Sequence, residues 1–474
     1  MNKAFRLKRR AASHHPQSEL RMATTSTDSP PRLPQELLDI IVDELGSNAE
    51  RHEPVSRSTL TSCALVSKSM SARARGHLFS TISLRWKPYT STVDARRTRI
   101  CTLKCIMEAD AQFVSFVRTL ELSLDNDAWG TDDLPGVLTM LYSTPRSGLR
   151  ALRLTAQSSV VPRSWGLDAK VAGKKALANL CLSGCLTELV IHGPMQESVL
   201  LLSKIPKGLV SLELSNASLI PTAAQLGMGL RMGDGEGVRL EKLVVDEVSA
   251  IMLFVDWKVE PSVRTRILAM MQGLKTLELE TKRVSEDGRY FAVVLEQCRR
   301  SLERLVWSVE PFEDRISALL SHVPLSSFTA LRSLTFKIWT KGGLVPNVNT
   351  RRLFSAIRES AMPSLEHLTF AIRLRPTWQS RRVTIDDLTD HTMCWGWEML
   401  DVALGSKVRY PCLVLVEIDL GIVGLDIGGV FVTEEAYAQE EARVRLKALF
   451  PSFLASGGDL KTSFEGVFFC NKRT

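Results

Sequence analysis

The chain has 474 residues, 45% hydrophobic and 24% charged, which is the composition of a folded globular protein and not of a disordered or collagenous one. Its formal charge of +8 is concentrated at one end: the first 32 residues hold seven Lys/Arg against Glu19 and Asp28, leaving a body near +3. No stretch reaches the ~18 consecutive apolar residues of a spanning helix, and nine cysteines in no paired spacing exclude a disulfide framework and suit a reducing cytosol or nucleus.

In chain order, residues 1–30 come first. They are rich in Arg, Ser, Thr and Pro and carry few large apolar side chains, so they cannot bury enough surface to order themselves. Their basicity is compatible with a nuclear signal, a nucleic-acid contact or a mitochondrial presequence, and a solvated tail is the default. Residues 31–84 follow. Pro34 suits a first helical turn, and Leu37, Ile40, Ile41 and Leu45 recur on one helical face, with Glu36, Asp39, Asp43 and Glu44 on the other. A polar spacer, Gly46 to Thr59, reads as a loop. A longer helix is expected from Leu60 to Phe79, with small residues (Cys63, Ala64, Ser67) at its middle. A few dozen helical residues cannot bury a large core alone, so such a module completes its core on a partner.

On these residues the segment resembles an F-box of the variety common in fungal proteins. The resemblance rests on Leu33-Pro34, Glu36-Leu37, Ile40-Ile41 and Leu45, then Cys63 to Ser69, Arg73-Ala74-Arg75 and His77-Leu78-Phe79. Met70 stands where such segments usually carry Trp, and the spacer is longer than usual. The resemblance implies docking on a Skp-type adaptor, and through it a cullin–RING ubiquitin ligase, by Leu33, Pro34, Leu37, Ile40, Ile41, Leu45, Leu65, Val66, Leu78 and Phe79.

Residues 85–116 read as a helical link. From Val117 a phrase L-x-x-L-x-L returns ten times, starting at Val117, Leu149, Leu186, Leu209, Leu240, Leu274, Leu302, Leu331, Leu365 and Leu413. Alternation at its fourth and sixth positions marks a strand. Helical patterns lie between copies, at Val263–Met271, Tyr290–Arg299, Arg351–Glu359 and Trp397–Leu404. Strand, helix and strand at a spacing near thirty residues require parallel strands with crossovers. Residues 117–474 therefore resemble a degenerate leucine-rich-repeat solenoid. The Asn or Cys that regular copies carry three residues after the phrase is present in none. The expected fold class is α/β: an N-terminal all-α F-box, then an irregular solenoid with a parallel sheet on its concave face.

Cys101/Cys105 and Cys181/Cys185 each stand four apart, and without a matching His or Cys pair they read as buried helical thiols and not as zinc ligands. A doubly wound α/β enzyme is the alternative for the same alternation. It needs a Gly-rich turn straight after an early strand, and Gly227–Gly237 lacks that fingerprint. No P-loop, nucleophile elbow or HExxH occurs, so neither a cofactor nor a catalytic set is expected, and His192 and His367 read as surface histidines. Trp395 and Trp397 read as packing residues.

The third, fifth and seventh phrase positions point to the concave face. They collect the acids Glu121, Glu188, Glu213, Asp246, Glu278, Glu280, Glu417 and Asp419 against Arg153, Lys242, Arg304 and Lys337. Glu188, Glu213, Asp246, Glu278 and Glu280 fall on four adjacent strands, which predicts a target with a basic segment and makes nucleic acid a poor fit. The resemblances together imply a non-enzymatic substrate receptor of an SCF-type ubiquitin ligase, cytoplasmic or nuclear and bound to no membrane. A repeat scaffold whose F-box-like hairpin merely caps the repeats is the second reading. The long segment Ile372–Tyr410, with Trp378, is the next candidate for target binding.

Overall fold

A computed structural model describes residues 33–50, 54–85, 93–123, 133–156, 167–193, 208–216, 239–246, 249–250, 268–280, 289–309, 323–341, 348–375, 396–422 and 435–465. The chain forms two compact units that divide between Arg75 and Gly76.

The smaller unit is helical: α1 (Gln35–Glu50), α2 (Pro54–Val66) and most of α3 (Lys68–Leu78). Pro34 lies just before α1, and its carbonyl accepts from the N–H groups of Leu37 and Leu38 at 3.1 and 3.2 Å. Two expectations change here. The described residues of the spacer are helical, because α1 runs on to Glu50 and Pro54 opens α2, where its missing N–H removes nothing from the hydrogen-bond ladder. The helix expected from Leu60 to Phe79 is two helices. The Ser67 hydroxyl accepts from the N–H of Met70 at 3.2 Å, and this N-cap starts α3 afresh. α1 packs on α2, with Val42, Leu60 and Ala74 fully buried in the unit.

The larger unit is α/β, built on one parallel sheet of twelve strands that pair in chain order. These are β1 (Thr81–Leu84), β2 (Thr119–Ser123), β3 (Ala151–Thr155), β4 (Glu188–His192), β5 (Ser211–Ser215), β6 (Lys242–Asp246), β7 (Thr276–Glu280), β8 (Arg304–Val309), β9 (Ser333–Lys341), β10 (His367–Arg375), β11 (Leu415–Ile422) and β12 (Asp459–Glu465). All ten phrases lie in this sheet, each strand starting at the third position. The fourth positions align across it without a slip: Ile82, Leu120, Leu152, Leu189, Leu212, Leu243, Leu277, Leu305, Leu334, Leu368, Val416 and Leu460. Leu277 is fully buried while Thr276 beside it is half-exposed, as the register requires.

Two strands fall outside the phrases read from the sequence. β1 lies within the segment expected to belong to the first module, and β12 closes the far end of the sheet. The helices α4 (Val93–Ala109) and α5 (Ala111–Phe116) also belong to the larger unit. They are parted at Asp110, whose carboxylate accepts from the Gln112 N–H at 2.9 Å, and α4 packs on α6 (Asp133–Ser143).

Helices α7 (Leu167–Leu182), α8 (Arg289–Cys298), α9 (Val348–Glu359), α10 (Trp397–Leu404), α11 (Glu435–Ala448) and α12 (Pro451–Ala455) follow along the chain. Their apolar sides join phrase positions one, four and six in a single core, with Val137, Leu177, Val294, Leu353 and Leu400 among its members. Among the described residues these helices lie on the face of positions four and six, which leaves the face of positions three, five and seven open. In β8–β10 the sixth position turns aromatic: Trp307, Phe336 and Phe370 lie 6.1 and 6.0 Å apart, centroid to centroid. Trp397 of α10 meets Phe370 edge-on at 5.8 Å and reaches Phe450 at 5.7 Å. The helix expected at Trp397–Leu404 is thus present as α10 and contributes to the core.

A main-chain ladder runs along the start of the strands. The carbonyl of the second phrase position accepts from two N–H groups of the next repeat. Ser80 takes those of Arg118 and Thr119, Arg118 those of Arg150 and Ala151, Glu241 those of Lys275 and Thr276, and Glu366 those of Val414 and Leu415. At the other end of β4, Gly193 has φ +93, and a Cβ there would meet the Ala156 carbonyl oxygen at 2.2 Å, so only glycine fits.

Candidate docking surfaces

The smaller unit turns large apolar side chains outward. On α1 and just before it, Leu33, Pro34, Leu37, Ile40 and Ile41 are exposed, Ile40 to 63%. Their spacing of three and four sets them on one face of the helix. At the end of α2, Leu65 and Val66 are 84% and 75% exposed, and Val55, which the sequence did not single out, is also exposed. Leu45 is half-buried. Large apolar side chains in water at this density are unusual on so small a unit.

Two of the ten expected adaptor residues lie elsewhere. Leu78 and Phe79 fall in the larger unit, and the Phe79 ring packs on Phe113 with centroids 4.9 Å apart. Phe79 stands at the first phrase position ahead of β1 and is nevertheless 38% exposed, while Leu78 is half-buried.

Asp39 and Asp43 do not simply face water. Arg73 on α3 donates Nη1 to Asp39 at 2.7 Å and both Nε and Nη2 to Asp43 at 2.7 and 2.5 Å. Hydrogen bonding to Asp43, with the charge of Asp39 beside it, raises the guanidinium further above its usual value. The fork joins two turns of α1 to α3 within a unit that has few buried apolar residues.

The open face of the sheet corrects the expected acidic stripe. Glu188 pairs with Arg153 at 3.1 Å and Glu213 with His192 at 3.3 Å. Glu278 lies between Lys242 at 3.9 Å and Lys337 at 3.7 Å. Asp246 is buried, and its carboxylate accepts from the backbone N–H groups of Asn216 and Ser249 at 2.5 and 2.9 Å, so it fastens loops and presents nothing to a partner. Glu280 is half-buried. Glu121 is bracketed by Arg85 at 3.1 Å and Arg153 at 3.6 Å, and Arg373 pairs with Asp419 at 2.5 Å. Arg85 and Arg373 were missed because β1 carries no leucine at its first two core positions and because β10 runs past the phrase. Cross-strand neighbours of opposite charge pair directly, and the pairing weakens the field that a count of acids suggested.

Cys101 and Cys105 are exposed, not buried, whereas Cys181 is buried and its thiol is pushed up to about 12 by desolvation. Among the described residues no group of three or more His, Cys, Asp or Glu side chains could hold a metal ion. Within Ile372–Tyr410, Trp378 and Trp395 lie outside the described residues and Trp397 is buried. Beside α10, clefts of about 630 and 430 Å³ share Glu398 and Val402 in their walls. Among the described residues no helix is long and apolar enough to cross a membrane. No family model matches the chain, and no curated protein proves similar to it.

Proposed function

We propose that the chain is the substrate receptor of an SCF-type ubiquitin ligase. Its residues 31–75 would form an F-box that binds a Skp-type adaptor, and the sheet and its helices a leucine-rich-repeat solenoid that holds the target. The observation that carries this reading is the outward apolar face of a small separate unit: Leu33, Leu37, Ile40 and Ile41 on α1, with Leu65 and Val66 on α2. A hairpin that serves only as a cap turns its apolar side inward, so this exposure favours docking over the scaffold reading. The chain needs no catalytic residue of its own. It raises the effective concentration of a target lysine near a conjugating enzyme held elsewhere in the complex.

On this reading Leu37→Asp or Ile40→Asp abolishes co-purification of the adaptor with the full-length protein. A buried interface anchor commonly carries ~2 kcal/mol or more. The variants keep the wild-type melting temperature, because both side chains are already in water. Adaptor binding unchanged by either substitution sinks the ligase reading.

A further inference from the structure

The third phrase positions of β6 to β10 place five side chains in one register row across the open face: Lys242, Thr276, Arg304, Ser333 and His367. Cationic or titratable groups alternate with hydroxyls. Arg304 is exposed at the centre, with Thr276 and Ser333 on the strands either side, and among the described residues it makes no ion pair. Lys242 has only the long 3.9 Å contact to Glu278, which Lys337 also holds from its far side. In the position just before this row Glu241 pairs with Lys275 at 3.2 Å and Arg332 with Glu366 at 3.4 Å, while Glu303 beside Arg304 is exposed.

We infer that this row receives an acidic segment of the target protein, with Arg304 as the anchor for one carboxylate or phosphate group and Thr276 and Ser333 donating their hydroxyls to the same group. The inference deepens the reading of the sheet as the target-binding surface and rests on it. Strands lie ~4.8 Å apart, so Lys242, Arg304 and His367 recur every ~9.6 Å. A polyproline-type chain advances ~3.1 Å per residue and returns the same face every third residue. Acidic groups at i and i+3 therefore match the row. A continuous phosphate backbone fits less well than acids spaced three residues apart, because Glu278, Glu280 and Glu303 lie among the cations and a peptide can set neutral residues against them.

The test is a displayed library of random twelve-residue peptides selected in parallel on the full-length protein and on Arg304→Glu. The expected result is that the wild type enriches Asp and Glu three residues apart and Arg304→Glu retains none of those peptides. Synthetic versions bearing Asp, Glu or phosphoserine at the anchor then separate carboxylate from phosphate. Arg304→Gln weakens them roughly tenfold or more, and Ser333→Ala weakens them less. Peptides held equally by Arg304→Glu, enrichment of Lys and Arg, or no enrichment at all would overturn the inference. So would a single-stranded oligonucleotide that binds through Arg304 where no peptide does. Adaptor co-purification is measured on the same proteins. Its loss in Leu37→Asp, with peptide selection intact, supports the inference and shows the α1 face to be a separate site. Its persistence in Leu37→Asp sinks the ligase reading without touching the peptide result.

Discussion

The two units solve opposite problems with the same kinds of side chain. In the larger unit almost every leucine of the repeated phrase is fully buried, and each strand finds the next in register. In the smaller unit Leu37, Ile40, Ile41, Leu65 and Val66 face water, and three helices share a core in which Val42, Leu60 and Ala74 are the fully buried apolar residues. A repeat array can bury one repeat on its neighbour, whereas the smaller unit has few fully buried apolar residues of its own and adds polar fastening such as the Arg73 fork. The difference separates residues that make the fold from residues that the fold leaves in water.

Within the larger unit, thiol chemistry separates core from surface most sharply. Cys412, Cys101 and Cys105 are exposed and Cys63 in the smaller unit is half-buried, whereas Cys181 and Cys298 are buried with their thiols pushed up to about 12. Alkylation of the native protein at pH 8, read by peptide mass mapping, should modify the first group and leave Cys181 and Cys298 silent until the sheet unfolds. Protonation carries the same sign into stability. Both buried thiols ionise in the unfolded chain near 9.0 and in the fold only near 12, so their contribution is whole below pH 9 and falls as pH rises towards 12. Equal labelling of all cysteines would dissolve the contrast.

Next in size are the core leucines. Leu277→Ala or Leu305→Ala should cost about 2–5 kcal/mol in denaturant unfolding, because each leaves a cavity under the sheet. Asp246→Ala should cost about 1–3 kcal/mol by stranding two backbone N–H groups. At the low end, Ile40→Ala and Thr276→Ala should stay within about 0.5 kcal/mol of wild type. An Ile40→Ala loss as large as that of Leu277→Ala would mean that the α1 face belongs to the core.

Much of the sheet was legible because L-x-x-L-x-L encodes burial and register at once. β1 escaped notice since its first position is Phe79 and its fourth Ile82, inside a stretch that reads as helix. β12 escaped since Gly457 and Thr462 stand where the first and sixth apolar residues belong. The stripe on α1 was legible from its spacing, but not which residues turn inward, since Val42 lies one step from Ile41. The break at Ser67 interrupts no apolar pattern, and only the capping hydroxyl betrays it. The charge of the open face was misread for a more general reason. A sum over one face treats each acid as free, and pairing between neighbouring strands becomes visible only when every strand, including β1, has its place.

The ladder of two-donor carbonyls from Ser80 to Glu366 bears on how such a chain can change over time. Its rungs are main-chain atoms, so any residue but proline supplies them. The asparagine or cysteine that stitches regular copies can then drift away without loosening the stack. Within each repeat the stack then asks for an apolar side chain at three positions, and the ladder places no demand on the identity of the rest.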